Sequence, residues 1–163
     1  KLEVVFADYA KGLKGLNALR ENAIRSFVGA EQQMQCDKYV DIIADEIEKA
    51  IPKKEAETGR KDLRTRKVPN MLRGYFADMH EVIRQCSICL DKGKRAYIVV
   101  DQSAYLGKIV PTDLLLAFYA ESEGFKVTNI INCRNARTST QQLNKYPYLK
   151  NSLRESIVCL EKI

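Results

Sequence analysis

The sequence has no long apolar run, and this absence excludes one class of protein at once. A membrane-spanning helix needs about 18 consecutive apolar residues, and no stretch of the chain approaches that length. No signal-peptide pattern precedes the first amphipathic segment, so we expect a cytoplasmic protein without a membrane partner. The chain begins at Lys1, inside a helical pattern and not at a methionine, which indicates a fragment of a longer protein.

Histidine is almost absent, and this argues against a metal site. His80 is the one histidine, which is too little to complete a zinc site with the CxxC of Cys86 and Cys89. That CxxC also lies in a helical pattern and not at a turn. We therefore interpret the cysteines as buried apolar residues in a reducing compartment, with metal or redox chemistry as the less favoured alternative. The five are Cys36, Cys86, Cys89, Cys133 and Cys159.

What the chain does contain is an ordinary globular composition with an excess of basic residues. Hydrophobic residues make up 45% and charged residues 29% of 163 positions, which is typical of one soluble domain. The net charge of +6 favours a partner that carries phosphates. It does so only weakly, because many basic domains bind no nucleic acid.

Helical patterns dominate the first part of the chain. Apolar spacing predicts two helices with a bend over residues 1–29. A further helix is predicted from Asp37, its N-cap, to Ile51, with Pro52 ending it. The polar, basic stretch that follows has no apolar periodicity and is predicted to be a mobile loop. Residues 1–67 are thus predicted to be a helical segment and a basic loop.

The remainder, residues 68–163, predicts an α/β arrangement. A long helix follows Pro69, and the short apolar run AYIVVD then indicates a strand buried on both faces of a sheet. Thr112 is the predicted cap of the next helix, and FKVTNIINC and ESIVCLEKI are predicted strands. This alternation of helices with about three strands is the α/β signature.

These segments resemble a known family. The run YIVVDQSAYLGKIVPTDLLLAFYAESEGFKV, the polar NCRNARTSTQQ and the final LRESIVCLEKI are similar, in that order, to the C-terminal part of bacterial site-specific DNA methyltransferases. Those enzymes use S-adenosylmethionine to methylate the exocyclic amino group of adenine or cytosine. The opening KLEVVFADYAKGLKGLNALRENAIRSFVG also resembles the helical segment after their catalytic motif. The resemblance implies the C-terminal half of a Rossmann-like methyltransferase sheet with an N-terminal group of helices, in a bacterial cytoplasm.

Two signatures of that family are missing from this chain. One is a glycine-rich turn of the FxGxG type, which holds the methionine end of the cofactor. The other is a (D/N/S)PPY motif, which receives the target amino group, and no two of the four prolines here are adjacent. The resemblance places both motifs upstream of Lys1. We therefore expect no catalytic residue and no bound S-adenosylmethionine in this chain, and we expect the upstream half of the same protein as a partner.

The loop after AYIVVD is the predicted rim of a target-base pocket. Open α/β sheets bind ligands at the carboxyl ends of their strands, and the resemblance places this loop beside the missing motif. Gln102 and Ser103 can donate and accept hydrogen bonds, and Tyr105 can stack on a base taken out of the duplex. Gly107 completes the predicted rim. The alternative is that Gln102 and Ser103 only cap the strand and that Tyr105 only packs.

Two further segments are predicted to contact double-stranded DNA. The basic stretch either binds phosphates or is only a solvated loop. Its residues are Lys53, Lys54, Arg60, Lys61, Arg64, Arg66 and Lys67. The polar stretch after the second strand either contacts bases and phosphates or is only an exposed loop. Its residues are Arg134, Asn135, Arg137, Thr138, Ser139, Gln141 and Gln142.

The sequence is also compatible with two other functions. One is a fragment of an RNA methyltransferase, which shares the sheet and the PPY chemistry. The other is a non-enzymatic module that interacts with protein or nucleic acid. An unpaired apolar edge at AYIVVD would associate with a second copy, so a homodimer through that edge is one candidate assembly.

Overall fold

The computed structural model describes Gly15, Leu19, Arg20, residues 23–136 and residues 138–163. The helices predicted for residues 1–22 lie outside this part of the chain, apart from those three positions. Residues 23–30 form turns, so the prediction of a helix up to residue 29 is wrong there. The cause is Arg25, whose backbone N–H donates to the Asp78 carboxylate at 2.8 Å and is no longer available to a helix.

The first long helix, α1, spans Lys38–Thr58 and begins where the sequence predicts. Asp37 is its N-cap, and the Asp37 carboxylate accepts from the N–H groups of Tyr39 and Val40. The helix does not end at Pro52, contrary to the prediction. It continues to Gly59, whose φ of 64° ends it in the left-handed conformation that glycine adopts without strain.

The segment predicted as a mobile loop is therefore partly helical, and ion pairs hold it in place. Lys54 in α1 pairs with Asp62, and Glu55 pairs with Arg66 at 2.6 Å. Arg66 belongs to a short 3₁₀ turn, Thr65–Lys67. These contacts and the helix-forming residues after Pro52 offset the one backbone hydrogen bond that a proline removes.

The remaining elements complete a helical layer and a sheet. The helices are α2 (Val68–Cys89), α3 (Thr112–Ser122), α4 (Thr140–Lys145) and α5 (Leu149–Ser152). The strands are β1 (Arg95–Asp101), β2 (Ser103–Tyr105), β3 (Lys108–Val110), β4 (Phe125–Asn135) and β5 (Arg154–Lys162).

Helix α2 starts at Val68, with Pro69 in its first turn, as predicted. Buried Arg73 joins it to α1 by bonding Asp41 at 2.8 Å and Asp45 at 2.6 Å. The main core lies between these helices, α3 and the sheet. Its most buried large side chains include Ile47, Phe76, Ile83, Leu116, Tyr119, Phe125, Val158 and Leu160.

The predicted α/β class with three strands in one sheet is confirmed. The strand order is β1-β5-β4, and both flanking strands pair antiparallel with β5. The strands β1 and β4 therefore run parallel to each other, and α3 lies in the connection between them, as in a βαβ unit. A separate hairpin, β2-β3, precedes α3 and was not predicted.

Strand β1 is not buried on both faces, contrary to the prediction. Alternate residues of β1 face the helices, whereas Tyr97 and Val99 on the other face are 61% and 63% exposed. The core packs on only one face of the sheet. The continuous apolar run therefore marks a strand whose second face has no cover from the described part of the chain.

Three of the five cysteines are exposed, so their prediction as buried core residues is wrong. Ser87, in the last turn of α2, faces the body of the protein and donates to the carbonyl of Glu123 at 2.5 Å. Cys86 and Cys89, on the same turn of α2, consequently point to solvent. The exposed cysteines are Cys86, Cys89 and Cys133, whereas Cys159 is buried, as predicted, and Cys36 is partly buried.

None of the described helices combines the length and apolarity needed to cross a lipid bilayer. Within the same residues, no cluster of three or more His, Cys, Asp or Glu side chains could hold a metal ion.

Candidate functional site

The candidate site lies at one edge of the sheet. Because β1 and β4 are parallel, their carboxyl ends, Asp101 and Asn135, meet at the same edge, where β5 begins at Arg154. The β2-β3 hairpin follows β1, and α4 and α5 follow β4. A second apolar cluster joins these segments: buried Ala104 of the hairpin packs with Leu149. The sequence therefore brings its two polar connections together at the edge where open α/β sheets bind ligands.

The hairpin has a tight two-residue turn. Leu106 and Gly107 have φ values of 53° and 80°, a combination that matches the twist of paired strands. A Cβ on Gly107 would lie 2.7 Å from the Tyr148 hydroxyl oxygen and 2.8 Å from the Tyr146 ring. The Tyr148 hydroxyl donates to the Gly107 carbonyl. Gly107 is therefore required both by the turn and by the close approach of Tyr146 and Tyr148, which lie between α4 and α5.

A buried carboxylate, Asp113, holds the strand ends together. Its Oδ1 accepts from Gln102 Nε2 at 2.7 Å and from the Leu114 N–H at 3.0 Å. Its Oδ2 accepts from Arg154 Nε and from Ser156 Oγ, both at 2.8 Å. Burial alone raises the pKa of Asp113, but the hydrogen bonds from Gln102, Arg154 and Ser156 outweigh it, so the pKa lies below its usual value.

Sequence reasoning missed this network. In this region it predicted only that Thr112 caps the helix. The N-cap is Pro111, with no side-chain cap bond, so that prediction for Thr112 is wrong. The sequence contains one signal for the network, which is an acidic residue directly before the apolar run LLLAF. A carboxylate that is buried with such a run needs hydrogen-bond partners.

An inner cavity of about 160 Å³ lies between the hairpin, the end of β1 and α2. Its polar side chains are Ser26, Asp101, Ser103 and Thr112, and its wall is formed by Met71, Leu72, Tyr75, Phe76, Tyr105 and Val110. Burial raises the pKa of both Tyr75 and Tyr105. Both phenols therefore stay protonated at neutral pH and can donate a hydrogen bond. The contribution of α2, including Tyr75, was not anticipated.

The four residues of the predicted rim take different positions. Ser103 and Tyr105 line the inner cavity. Gln102 is buried, and its amide bonds Asp113, while Gly107 shapes the hairpin turn. Two of the four can thus touch a ligand in the inner cavity, and the other two support the loop that carries them.

An outer cavity of about 200 Å³ lies on the hairpin as well and shares Tyr105 with the inner cavity. It brings together residues from both segments predicted to contact DNA, although they are far apart in sequence. Its lining is Lys54, Thr65, Tyr105, Leu106, Ser139, Gln141, Gln142, Lys145 and Tyr146. Lys54 bonds Asp62 and the Thr65 hydroxyl, and Lys145 pairs with Glu57 across to α1.

Other members of the two predicted segments are not at the cavity. The side chains of Lys53, Arg60, Lys61, Arg64 and Lys67 are exposed, whereas Arg66 is held by Glu55. The Arg66 hydrogen bond lowers the pKa of Glu55 to about 2. Arg134 pairs with Glu155 at 2.6 Å, Asn135 is exposed, and Thr138 is half-buried. Arg137 lies outside the described residues.

Two curated relatives are similar in sequence to this chain. It is 34% identical over 93 residues to the type II methyltransferase M.AvaI of Nostoc sp.. This match covers 56% of this chain and 19% of that protein. It is 31% identical over 125 residues to the type II methyltransferase M.BsoBI of Geobacillus stearothermophilus. That match covers 74% of this chain and 23% of that protein.

The chain is similar to part of the type II methyltransferases. The predicted resemblance to a methyltransferase is confirmed. The match with M.AvaI recurs, with the same identity and coverage, in the protein of that name from Anabaena variabilis. The chain spans about a fifth of the length of these methyltransferases. No family model matches it. No solved structure matches it either.

Proposed function

We propose that this chain is the C-terminal part of an S-adenosylmethionine-dependent DNA methyltransferase of a restriction-modification system. The whole protein methylates the exocyclic amino group of adenine or cytosine, and this chain alone is inactive. The observation that carries the proposal is the inner cavity at the carboxyl ends of β1 and β4, in a chain similar to type II methyltransferases. That edge is where α/β enzymes bind their substrates.

The inner cavity fits a single base removed from the duplex. An enzyme that modifies a base inside duplex DNA must take it out of the stack and read it by stacking and hydrogen bonds. Tyr75 and Tyr105 supply aromatic surface, and Ser103 and Thr112 supply hydroxyl groups. The volume of about 160 Å³ is below the roughly 300 Å³ at which pockets for drug-sized ligands begin. A cavity of that size suits one flat ring system.

The sheet supports the idea that a further part of the protein completes this domain. Within the described residues, the outer edge of β1 pairs with no strand. The middle of the uncovered face carries exposed apolar side chains: Tyr97, Val99 and Ile131 are 61%, 63% and 47% exposed. A free edge beside an uncovered apolar face is a surface on which more β-structure and helices can pack. We assign this surface to the upstream half.

The inner and outer cavities do not fit the cofactor. Neither cavity has a glycine-rich turn, and the lining of the outer one includes no carboxylate that could face a positively charged sulfonium. We therefore assign the S-adenosylmethionine site to the upstream half.

Exposed basic and polar side chains in the two segments that contribute to the outer cavity suit the DNA backbone. Lys53, Arg60, Lys61, Arg64 and Lys67 lie on the α1 side, and the segment that begins at Arg134 lies on the β4 side. Cations and short polar side chains make most phosphate contacts in protein–DNA complexes. These residues are the proposed backbone contacts.

The proposal is tested by separating the two halves. The isolated chain should neither bind labelled S-adenosylmethionine nor transfer its methyl group to duplex DNA, and adding the upstream half should restore both. Tight cofactor binding by this chain alone would refute the split. Equal amounts of duplex DNA and tRNA offered to the full-length protein decide between DNA and RNA as substrate.

A further inference from the structure

Gln142 carries a buried acceptor without a partner. Its side-chain oxygen Oε1 is the single buried side-chain nitrogen or oxygen in the described part of the chain that makes no hydrogen bond. The orientation of the amide is fixed, because Nε2 donates to the Ala104 carbonyl at 3.1 Å. A flipped amide would set two carbonyl oxygens against each other. A buried acceptor left unpaired is costly, so it calls for a donor that is not part of this fold.

The two lysines that line the outer cavity with Gln142 are already engaged in ion pairs. Lys54 donates to Asp62 and to the Thr65 hydroxyl, and Lys145 donates to Glu57. The Lys145–Glu57 pair is exposed, at 46% and 40% of the side-chain surface. Exposed ion pairs contribute little to stability, so Lys145 can exchange Glu57 for a phosphate group at small cost.

The outer cavity also has the surface that a nucleotide needs. Tyr105 and Tyr146 present aromatic rings, and Thr65 and Ser139 present hydroxyl groups. Because Tyr105 lines both cavities, a ligand in the outer cavity would be the immediate neighbour of a base in the inner one.

We infer that the outer cavity binds the nucleotide next to the target base and that Gln142 Oε1 accepts a hydrogen bond from the exocyclic amino group of its base. This inference rests on the proposed function. A carbonyl acceptor selects adenine, cytosine or guanine, which present an amino group, over thymine, which presents O4. Gln142 is on this reading a specificity-determining residue for one position of the recognition sequence.

The test uses the full-length protein and duplex oligonucleotides that carry its own recognition sequence, read from the methylated positions of genomic DNA. The amino groups are removed one at a time: hypoxanthine replaces guanine, purine replaces adenine, and 2-pyrimidinone replaces cytosine. Affinity is measured by fluorescence anisotropy for the wild type, for Gln142→Leu and for Gln142→Met. Gln85→Leu, at an exposed glutamine of α2 away from both cavities, is the matched control.

The wild type and Gln85→Leu should lose about tenfold in affinity when one particular amino group is removed. The Gln142 variants should bind the parent duplex about tenfold more weakly than the wild type. Their affinity should not fall further when that particular amino group is removed. A merely structural role for Gln142 would instead weaken binding to every duplex equally, and that result overturns the inference. An identical set of affinities for wild type and variants also overturns it and leaves a water molecule as the partner of Oε1. If the full-length protein does not methylate DNA at all, the proposed function itself has failed.

Discussion

Arg154 Nε donates to the buried Asp113 carboxylate at 2.8 Å, which joins the first residue of β5 to the first turn of α3. The same carboxylate holds Gln102 at the end of β1. Three elements that meet at the candidate site therefore depend on one side chain, although their residues are far apart in sequence.

We expect Asp113→Ala to lower the free energy of unfolding by about 3 kcal/mol, because it leaves the buried Gln102 and Ser156 and the partly buried Arg154 without their acceptor. Urea denaturation of the chain measures the change. The exposed Asp91, in the turn after α2, is the control, and its alanine variant should stay within about 0.5 kcal/mol of the wild type. A loss below about 1 kcal/mol for Asp113→Ala would show that the network adds little.

The same residue predicts how stability depends on pH. The folded pKa of Asp113 lies below its ordinary value of 3.8, so the stabilisation that its hydrogen bonds give the ionised form is fully present above that value. It is lost as the pH falls through the folded pKa. Between neutral pH and about pH 4, wild type and Asp113→Asn should therefore differ by a constant amount. Below that range the difference should shrink, because only the wild type has a carboxylate to protonate. If the free energies of unfolding of the two proteins differed by the same amount below about pH 4 as above it, the lowered pKa of Asp113 would be contradicted.

Tyr105 should be required for methyl transfer by the full-length protein. Stacking of a base on an aromatic ring contributes about 1–3 kcal/mol, so Tyr105→Ala should reduce kcat/KM by about ten- to a hundredfold. Tyr105→Phe keeps the ring and should stay within about threefold. Tyr39→Ala removes an exposed ring of α1 outside both cavities and serves as the control. Equal activity of Tyr105→Ala and wild type would remove Tyr105 from the base pocket.

Replacing the exposed Arg64 by Gln should weaken DNA binding similarly for all sequences and reduce the slope of log K against log salt by about 0.9. One phosphate contact fewer releases one counterion fewer. Lys126→Gln, at the opposite end of β4, should leave the slope unchanged. Titrations at several salt concentrations measure both. An unchanged slope for Arg64→Gln would mean that the basic segment is only solvated.

The isolated chain should self-associate through the free edge of β1 and its exposed apolar face. Val99→Lys places a charge on that face, where the native side chain is 63% exposed, and should shift the chain toward the monomer without lowering its stability. Light scattering over a range of concentrations measures this. A wild-type chain that stays monomeric at high concentration would argue against an association surface here.

The sequence predicted those features that short-range signals determine. Asp37 as an N-cap, Pro69 at a helix start and the three strands of the sheet all follow from local rules of capping and apolar runs. The helix through Pro52 was missed because contacts with residues 62–66 override the local effect of proline.

The site was harder to predict than the fold. The β2-β3 hairpin has only three residues in each strand and a Leu-Gly turn, which is not among the usual hairpin signals. The Asp113 network and the cavity that both Lys54 and Gln142 line depend on pairings between distant segments. Such pairings leave no trace in the spacing of residues along the chain.

The position of β5 has a consequence for folding during synthesis. This strand is made after β1 and β4, yet it lies between them and provides every backbone partner that they have in the described sheet. Until β5 has left the ribosome, both flanking strands remain unpaired, and β1 exposes apolar residues on both sides. A ribosome that stalls before residue 154 would therefore release a chain that cannot form its sheet and that becomes a target for chaperones or proteases.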